Sequence, residues 1–194
     1  MPWYIEASTE PTALEQNIAI GLRANCVQFY DEINKKRGRQ WEASREITAT
    51  AGTKYYSILK AGSVYPVDLK SRILSATGDG IIARVYRITS ADYTGGAQDN
   101  VYSMRPAMGV MLGAQLLTGF TLTTPVANLT KCGADLSLRV NAQGSQGGFT
   151  PAGFGSNRFI EPNEQLLLEI ESLGVQTIFA RLEFYEGPLD FPLV

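Results

Sequence analysis

Alternation of apolar and polar residues dominates the last third of the chain. From Gln165 onward, Leu166, Leu168 and Ile170 share one face, while Gln165, Glu169 and Glu171 take the other. After Ser172-Leu173-Gly174 the alternation resumes, with Ile178, Ala180, Leu182 and Phe184 opposite Thr177, Arg181, Glu183 and Tyr185. A two-residue period on both sides of a Gly-containing turn predicts an antiparallel hairpin within residues 158–187, with one buried face. Pro162-Asn163 supplies the turn that starts its first strand. The polar face, carrying Gln165 and the two glutamates, reads as solvent-facing.

Shorter β patterns precede it. Ile47-Thr48-Ala49-Thr50 and Lys54 to Leu59 flank a turn at Ala51-Gly52, and Val64 to Leu74 follows the turn Ala61-Gly62-Ser63. Pro66 places that third strand at an edge or near its own start. Thr77-Gly78-Asp79-Gly80 is a turn, and 81–88 is rich in β-branched and aromatic residues. Tyr93-Thr94-Gly95-Gly96 opens a long connection to about Met111. Strands are predicted over 114–122 and 136–140, and the Gly-rich stretch 141–156 reads as a long exposed loop.

The first forty residues have a different texture. Residues 1–11, with Pro2 and Pro11, read as an extended arm. Thr12-Ala13-Leu14-Glu15 matches a capping box, and Leu14, Ile18, Leu22, Cys26 or Val27, Tyr30 and Ile33 follow at helical spacing. Lys35, Lys36 and Arg37 suit a helix C-terminus, and Gly38 closes it. This predicts a helix over 12–36, although Ile18, Ile20, Leu22, Ala24 and Cys26 also alternate as an extended segment would. The expected organisation is an arm or helix over 1–40, a β domain over 41–187 and a short tail over 188–194. The fold class is mainly β, a jelly-roll-like antiparallel β-sandwich.

Composition narrows the chemistry. At 194 residues and 44% hydrophobic the chain can bury one sizeable core, and a formal net charge of -2 gives no global field toward nucleic acid or an anionic membrane. There is no histidine. That excludes Ser-His-Asp and Cys-His catalysis and nearly every catalytic zinc arrangement. Cys26 and Cys132 read as buried thiols rather than a disulfide. No apolar run is long enough to span a bilayer, and the N-terminus lacks the pattern of a signal peptide, so a protein made in a cytoplasm is expected.

The remaining candidate groups have plain structural readings. Lys35-Lys36-Arg37-Gly38-Arg39 reads as a solvated helix end. Asp79, Asp92 and Asp99 lack calcium-loop spacing. The glycines of 141–156 carry no phosphate-loop motif. Glu161, Glu164, Glu169 and Glu171 raise a paired-carboxylate glycosidase reading, but nothing places an acid pair in an apolar pocket. Met104, Met108 and Met111 fit either an adaptable contact surface or core filling. The expectation is a protein with no cofactor, no metal and no small-molecule substrate.

A series of short stretches resembles tailed-bacteriophage head decoration or cement proteins. It runs through Pro66-Val67-Asp68-Leu69-Lys70-Ser71-Arg72, the Thr77-Gly78 turn, Ala83-Arg84-Val85-Tyr86-Arg87, Tyr93-Thr94-Gly95-Gly96 and Gln115-Leu116-Leu117-Thr118-Gly119. It closes with 159–170 and Leu182-Glu183-Phe184-Tyr185-Glu186, and covers roughly residues 45–187. Where such proteins often read Leu-Arg-Ile-Thr-Asn, this chain has Leu-Glu-Ile-Glu-Ser at 168–172. The resemblance implies a non-enzymatic virion protein on the capsid surface, trimeric, whose partners are the major capsid protein and its own copies. It further implies capsid or subunit contacts from the arm and tail, for which Trp3, Leu14, Ile18, Leu22, Tyr30, Trp41 and Phe191 are the candidates. A rival reading, a receptor- or glycan-binding jelly roll of a phage tail or fibre, would use exposed aromatics such as Tyr55, Tyr93 and Phe154.

Overall fold

In the computed structural model, residues 37–108, 112–138 and 158–187 are described. They contain β1 (Gln40–Ala49), β2 (Lys54–Lys60), β3 (Val67–Ala76), β4 (Ile81–Ile88), β5 (Tyr93–Gln98) and β6 (Tyr102–Ser103). The series continues with β7 (Gln115–Leu122), β8 (Thr130–Lys131), β9 (Leu136–Leu138), β10 (Arg158–Ile160), β11 (Gln165–Ser172) and β12 (Gln176–Glu186). A five-stranded sheet runs β10-β3-β12-β1-β6, and a seven-stranded sheet runs β5-β7-β2-β11-β4-β8, with β9 also on β4. The pairings are antiparallel. The two sheets pack face to face, so the protein is the mainly β, jelly-roll-like sandwich that the periodicity predicts.

The predicted C-terminal hairpin is absent. β11 pairs with β2 and β4 in one sheet, whereas β12 pairs with β1 and β3 in the other. Leu173-Gly174-Val175 is therefore an arch across the core, not a hairpin turn. Two amphipathic strands bury their apolar faces equally well side by side in one sheet or stacked from opposing sheets, so alternation alone could not separate the two. β1, β2, β3 and β4 alternate between sheets in the same way.

The interior follows from the pleat. Leu166, Leu168 and Ile170 of β11 face Ile178, Leu182 and Phe184 of β12, and Trp41, Ile47, Leu59, Leu69, Leu74 and Val85 complete the buried cluster. Each fully buried side chain of this size contributes about 1.5–3 kcal/mol from desolvation. The predicted connection after Tyr93 is instead β5 and β6. β5 pairs with β7 in constant register, Tyr93 opposite Leu122 and Gln98 opposite Leu117. Gly95, Gly96 and Gly119 sit at positive φ (71°, 106° and 68°), a bend that residues with a Cβ resist. The bent ribbon delivers Tyr93, Phe120 and Leu122 to a second apolar cluster, around Ile58, Leu167, Tyr86 and Ile88, on the outer face of the seven-stranded sheet.

One irregularity sets the interior's polar feature. Opposite Glu183 and Phe184, β3 inserts an extra residue, so Leu69 and then Ser71 meet the neighbouring strand while Lys70 is left over. The bulge reverses the phase of β3. Val67 and Leu69 face inward before it, and Arg72, Leu74 and Ala76 after it. Arg72 is thus aimed between the sheets, 5% exposed, and donates to the backbone carbonyls of Glu169 (3.1 Å) and Arg84 (3.4 Å) in the opposite sheet. Beside it lies a cavity of about 40 Å³ bounded by Tyr55, Ser57, Leu168, Ile170 and Leu182. That is room for about one water molecule.

Candidate functional site

The outer face of the seven-stranded sheet has an ionic half. Strand register places Tyr56, Glu169 and Arg84 in one cross-strand row, and Lys54, Glu171 and Ile82 in the next. Arg84 Nη1 donates to Glu169 Oε1 at 2.5 Å and to Glu171 Oε2 at 2.7 Å, and its Nε donates to Asp135 Oδ2 at 3.1 Å. Lys54 Nζ stands 3.6 Å from Glu169 Oε1, and Lys131 pairs with Asp135. Three carboxylates meet three cations. Glu169, expected on a solvent face, has no exposed surface at all. The expectation failed because Lys54, Tyr56, Arg84 and Tyr86, arriving from strands distant in sequence, roof it over.

The shifts follow the geometry. Glu169 Oε2 makes no hydrogen bond of normal length, so its interaction with the neighbouring Tyr56 hydroxyl is chiefly electrostatic. Burial, then the Glu169 charge, pushes the Tyr56 phenol up to about 12. Tyr86 is raised by the same two causes in the same order. The hydrogen bond from Lys131, and then that from Arg84, hold Asp135 below the ordinary carboxylate value. Arg84, bonded first by Glu171 and then by Glu169, binds its proton more tightly still. Asp135, locked between the Arg84 guanidinium and the Lys131 ammonium, is thereby a poor general acid. The network fastens β2, β4, β11 and the segment before β9 together.

The outer face of the five-stranded sheet is the opposite case. The pairings put Glu42, Glu46, Thr177, Phe179, Arg181, Ile73 and Ser75 on it, together with Tyr102 of β6 and Phe159 of β10. Arg181 bridges Glu42 (2.5 Å) and Glu183 (2.9 Å). Phe179 is 46% exposed, Tyr102 58% and Phe159 40%. At one end of the face Gln40, Tyr185 and Asp68 form a buried row. Asp68 pairs with Lys70, yet Asp68 Oδ1 and Gln40 Oε1 have no hydrogen-bond partner. β6 covers only Trp41 and Glu42 of β1, and β10 only Val67 to Leu69 of β3, so both edges of this sheet continue without a strand partner among the described residues. Open edges and exposed aromatics on one face are the ingredients of an interaction surface.

At the end of the sandwich, Glu186 accepts a hydrogen bond from the Gly113 backbone N–H at 2.7 Å, and the Ala114 N–H also reaches its carboxylate. Gly62 and Gly113 leave room for it, since a Cβ on either would stand within 3 Å of Oε1. Burial raises Glu186 despite these bonds.

The candidate residues scatter. Trp41 is 7% exposed and packs in the core with Phe184 and Leu168, which removes it from the contact set. The pleat of β1 turns it inward with Ala43, Ile47 and Ala49, a placement the sequence reading did not make. Trp3, Leu14, Ile18, Leu22, Tyr30 and Phe191, and the predicted helix over 12–36, lie outside the described residues. So do Cys26, Met111 and Phe154. Cys132 is a free thiol, half-buried rather than buried. Arg37 and Arg39 flank a turn with Gly38 at φ 69° that leads into β1. Tyr55 and Tyr93 are half-buried. The Tyr55 hydroxyl bonds the Thr48 carbonyl, while that of Tyr93 bonds Gln165 and its ring packs edge-on against Phe120. Neither is a free stacking platform. Glu164 caps its own turn through the Glu161 N–H and pairs with Arg87, so Glu161 and Glu164 do not form an acid pair in an apolar pocket. Among the described residues, no cluster of His, Cys, Asp and Glu could hold a metal ion, and no helix is long and apolar enough to cross a membrane. No protein-family model and no curated protein matches the chain.

Proposed function

We propose that this protein is a non-enzymatic structural protein of a bacteriophage virion, decorating or cementing the capsid by binding the major capsid protein and its own copies. The observation that carries the reading is the outer face of the five-stranded sheet. Three aromatic side chains are exposed there, and both sheet edges run on without a strand partner among the described residues. A partner supplying an edge strand and apolar area would cover both features at once. On the other face Glu169, Glu171 and Asp135 are all held in ion pairs, which suits a structural role. The resemblance over residues 45–187 supports the same reading, and homotrimeric assembly on the capsid surface follows from it. Many identical weak contacts on a lattice become firm through multivalency.

Co-sedimentation with purified capsids tests it, using the full chain and a chain beginning at Arg37. The full chain pellets saturably at a fixed ratio to the major capsid protein, and the shortened chain pellets less. Failure of both to pellet contradicts the reading.

A further inference from the structure

A groove of about 480 Å³ opens where β4 leaves the seven-stranded sheet, within the size range of small-ligand clefts. Three separate segments wall it: the exit of β4 with its turn, Arg87 to Asp92; the short helical turn that carries Asn128, with Thr130; and the turn Asn163 to Gln165. It belongs neither to the ionic network nor to the open face of the other sheet.

Its chemistry can be read by elimination. Asp92 is consumed locally, accepting from the Thr89 N–H (2.8 Å), the Thr89 hydroxyl (2.6 Å) and the Thr124 hydroxyl (2.7 Å). Arg87 and Glu164 neutralise each other at 2.7 Å. Gln165, 5% exposed, donates to Ser90 and accepts from Tyr93. The groove therefore offers no uncompensated cation for a phosphate and no free acidic pair for a metal. No aromatic side chain lines it, so a nucleobase has nothing to stack on.

What stays uncommitted is the carboxamides of Asn128 and Asn163 and the hydroxyl of Thr130, none of which makes a side-chain hydrogen bond among the described residues. Both amides stand on fixed turns. Asn128 follows Pro125, whose carbonyl accepts its N–H at 2.9 Å. Asn163 is the one non-glycine residue at positive φ (68°) among the described residues, held by its N–H on the Gly62 carbonyl at 3.0 Å. Carboxamides both donate and accept, as does a hydroxyl, so together they match a ligand whose groups do the same. Ile88 and Leu129 add an apolar wall for C–H surface.

We infer that this groove is a binding site for an uncharged saccharide, with room for on the order of one or two sugar rings. Turns fixed before binding lower the entropy cost of ordering the site. The expected Kd is on the order of 1 mM. This is independent of the capsid reading and does not need it.

The test is a ¹H–¹⁵N NMR titration of the full chain with glucose, galactose, rhamnose and N-acetylglucosamine, separately, and with inorganic phosphate as the anion control. Expected are saturable shifts confined to residues 87–92, 128–130 and 161–165 with at least one sugar, and none with phosphate. Asn163→Gly keeps the left-handed backbone while removing the amide, and Asn128→Ala removes the other. Each weakens binding by about tenfold, equivalent to a lost hydrogen bond of about 1.4 kcal/mol, with the rest of the spectrum unchanged. Saturation by phosphate but no sugar, shifts elsewhere on the molecule, no saturable shift with any sugar, or variants that bind as well as the native chain each overturn the proposal.

Discussion

The two outer faces of the sandwich are built from the same kind of alternating strand, and they end in opposite states. On the seven-stranded sheet, the bent β5–β7 ribbon covers the apolar half and a six-membered ion network closes the other, so even Glu169 is fully buried. On the five-stranded sheet nothing comparable covers Phe179 among the described residues, and its side chain is 46% exposed. One face is closed from within the chain; the other presents aromatic side chains to solvent. The difference comes from what flanks each strand, since the outward positions of β11 and β12 each carry two charged residues, Glu169 and Glu171 against Arg181 and Glu183.

The comparison breaks most sharply at Glu169. Glu169→Ala leaves Arg84 facing only Glu171 and Asp135 beneath a roof of tyrosines, and is expected to cost about 3 kcal/mol in urea unfolding. Glu171→Ala, at a more exposed position, costs less than about 1 kcal/mol. The same Glu169 variant lowers the Tyr56 phenol from about 12 toward its ordinary value of 10.0, read by ultraviolet titration. Equal stability losses for the two glutamates would show that burial is not what separates them.

Arg72→Met removes the one guanidinium that the bulge sends across the core, with the methionine filling the stem's volume. Loss of its charge-assisted bonds to the Glu169 and Arg84 carbonyls is expected to cost about 2 kcal/mol, offset in part by relief of charge burial. A gain in stability would mean that the sheets are held by apolar packing alone at that point.

How far the sequence alone reached is clearest at these residues. Period-two alternation correctly placed Leu166, Leu168, Ile178, Leu182 and Phe184 in the interior, because inward pointing is a local property of a strand. Pairing partners are not local, so β11 and β12 were read as a hairpin when they face each other across the core. The bulge at Lys70 was masked by Ile73, an apolar residue that continues the odd-numbered phase of Val67 and Leu69 although it lies on the outer face. The burial of Glu169 depends on Tyr56 and Arg84, over eighty residues away in the chain. The trace of it in the sequence is a basic residue followed two positions later, on the same strand face, by a tyrosine: Lys54 with Tyr56 and Arg84 with Tyr86. The groove between Asn128 and Asn163 joins two turns that sequence reading treats separately.

A smaller effect concerns pH. Glu186 has its folded-state pKa raised above the ordinary 4.5 by burial, so its neutral form favours the fold, and stability declines as pH rises from 4.5 through the folded value. Asp135, held below 3.8, acts in the opposite sense: its contribution is present above 3.8 and is lost as pH falls through the depressed value. Glu186→Gln is expected to abolish the decline above pH 4.5 while leaving the acid limb unchanged, as followed by thermal melting across pH. An unaltered profile would place the titrating group elsewhere.

The smallest stability effect is expected where the largest functional one lies. Phe179→Ser on the open face changes stability by less than about 0.5 kcal/mol, because the side chain is already near water. Its counterpart on the closed face is Glu171→Ala, also mild in stability.

That pair gives the most direct measurement: saturable co-sedimentation with purified capsids by the native chain, Phe179→Ser and Glu171→Ala, all shown folded. The account predicts that Phe179→Ser binds several-fold more weakly while Glu171→Ala keeps the native ratio to the major capsid protein. Native binding by Phe179→Ser with loss in Glu171→Ala would contradict it, as would absence of binding by the native chain.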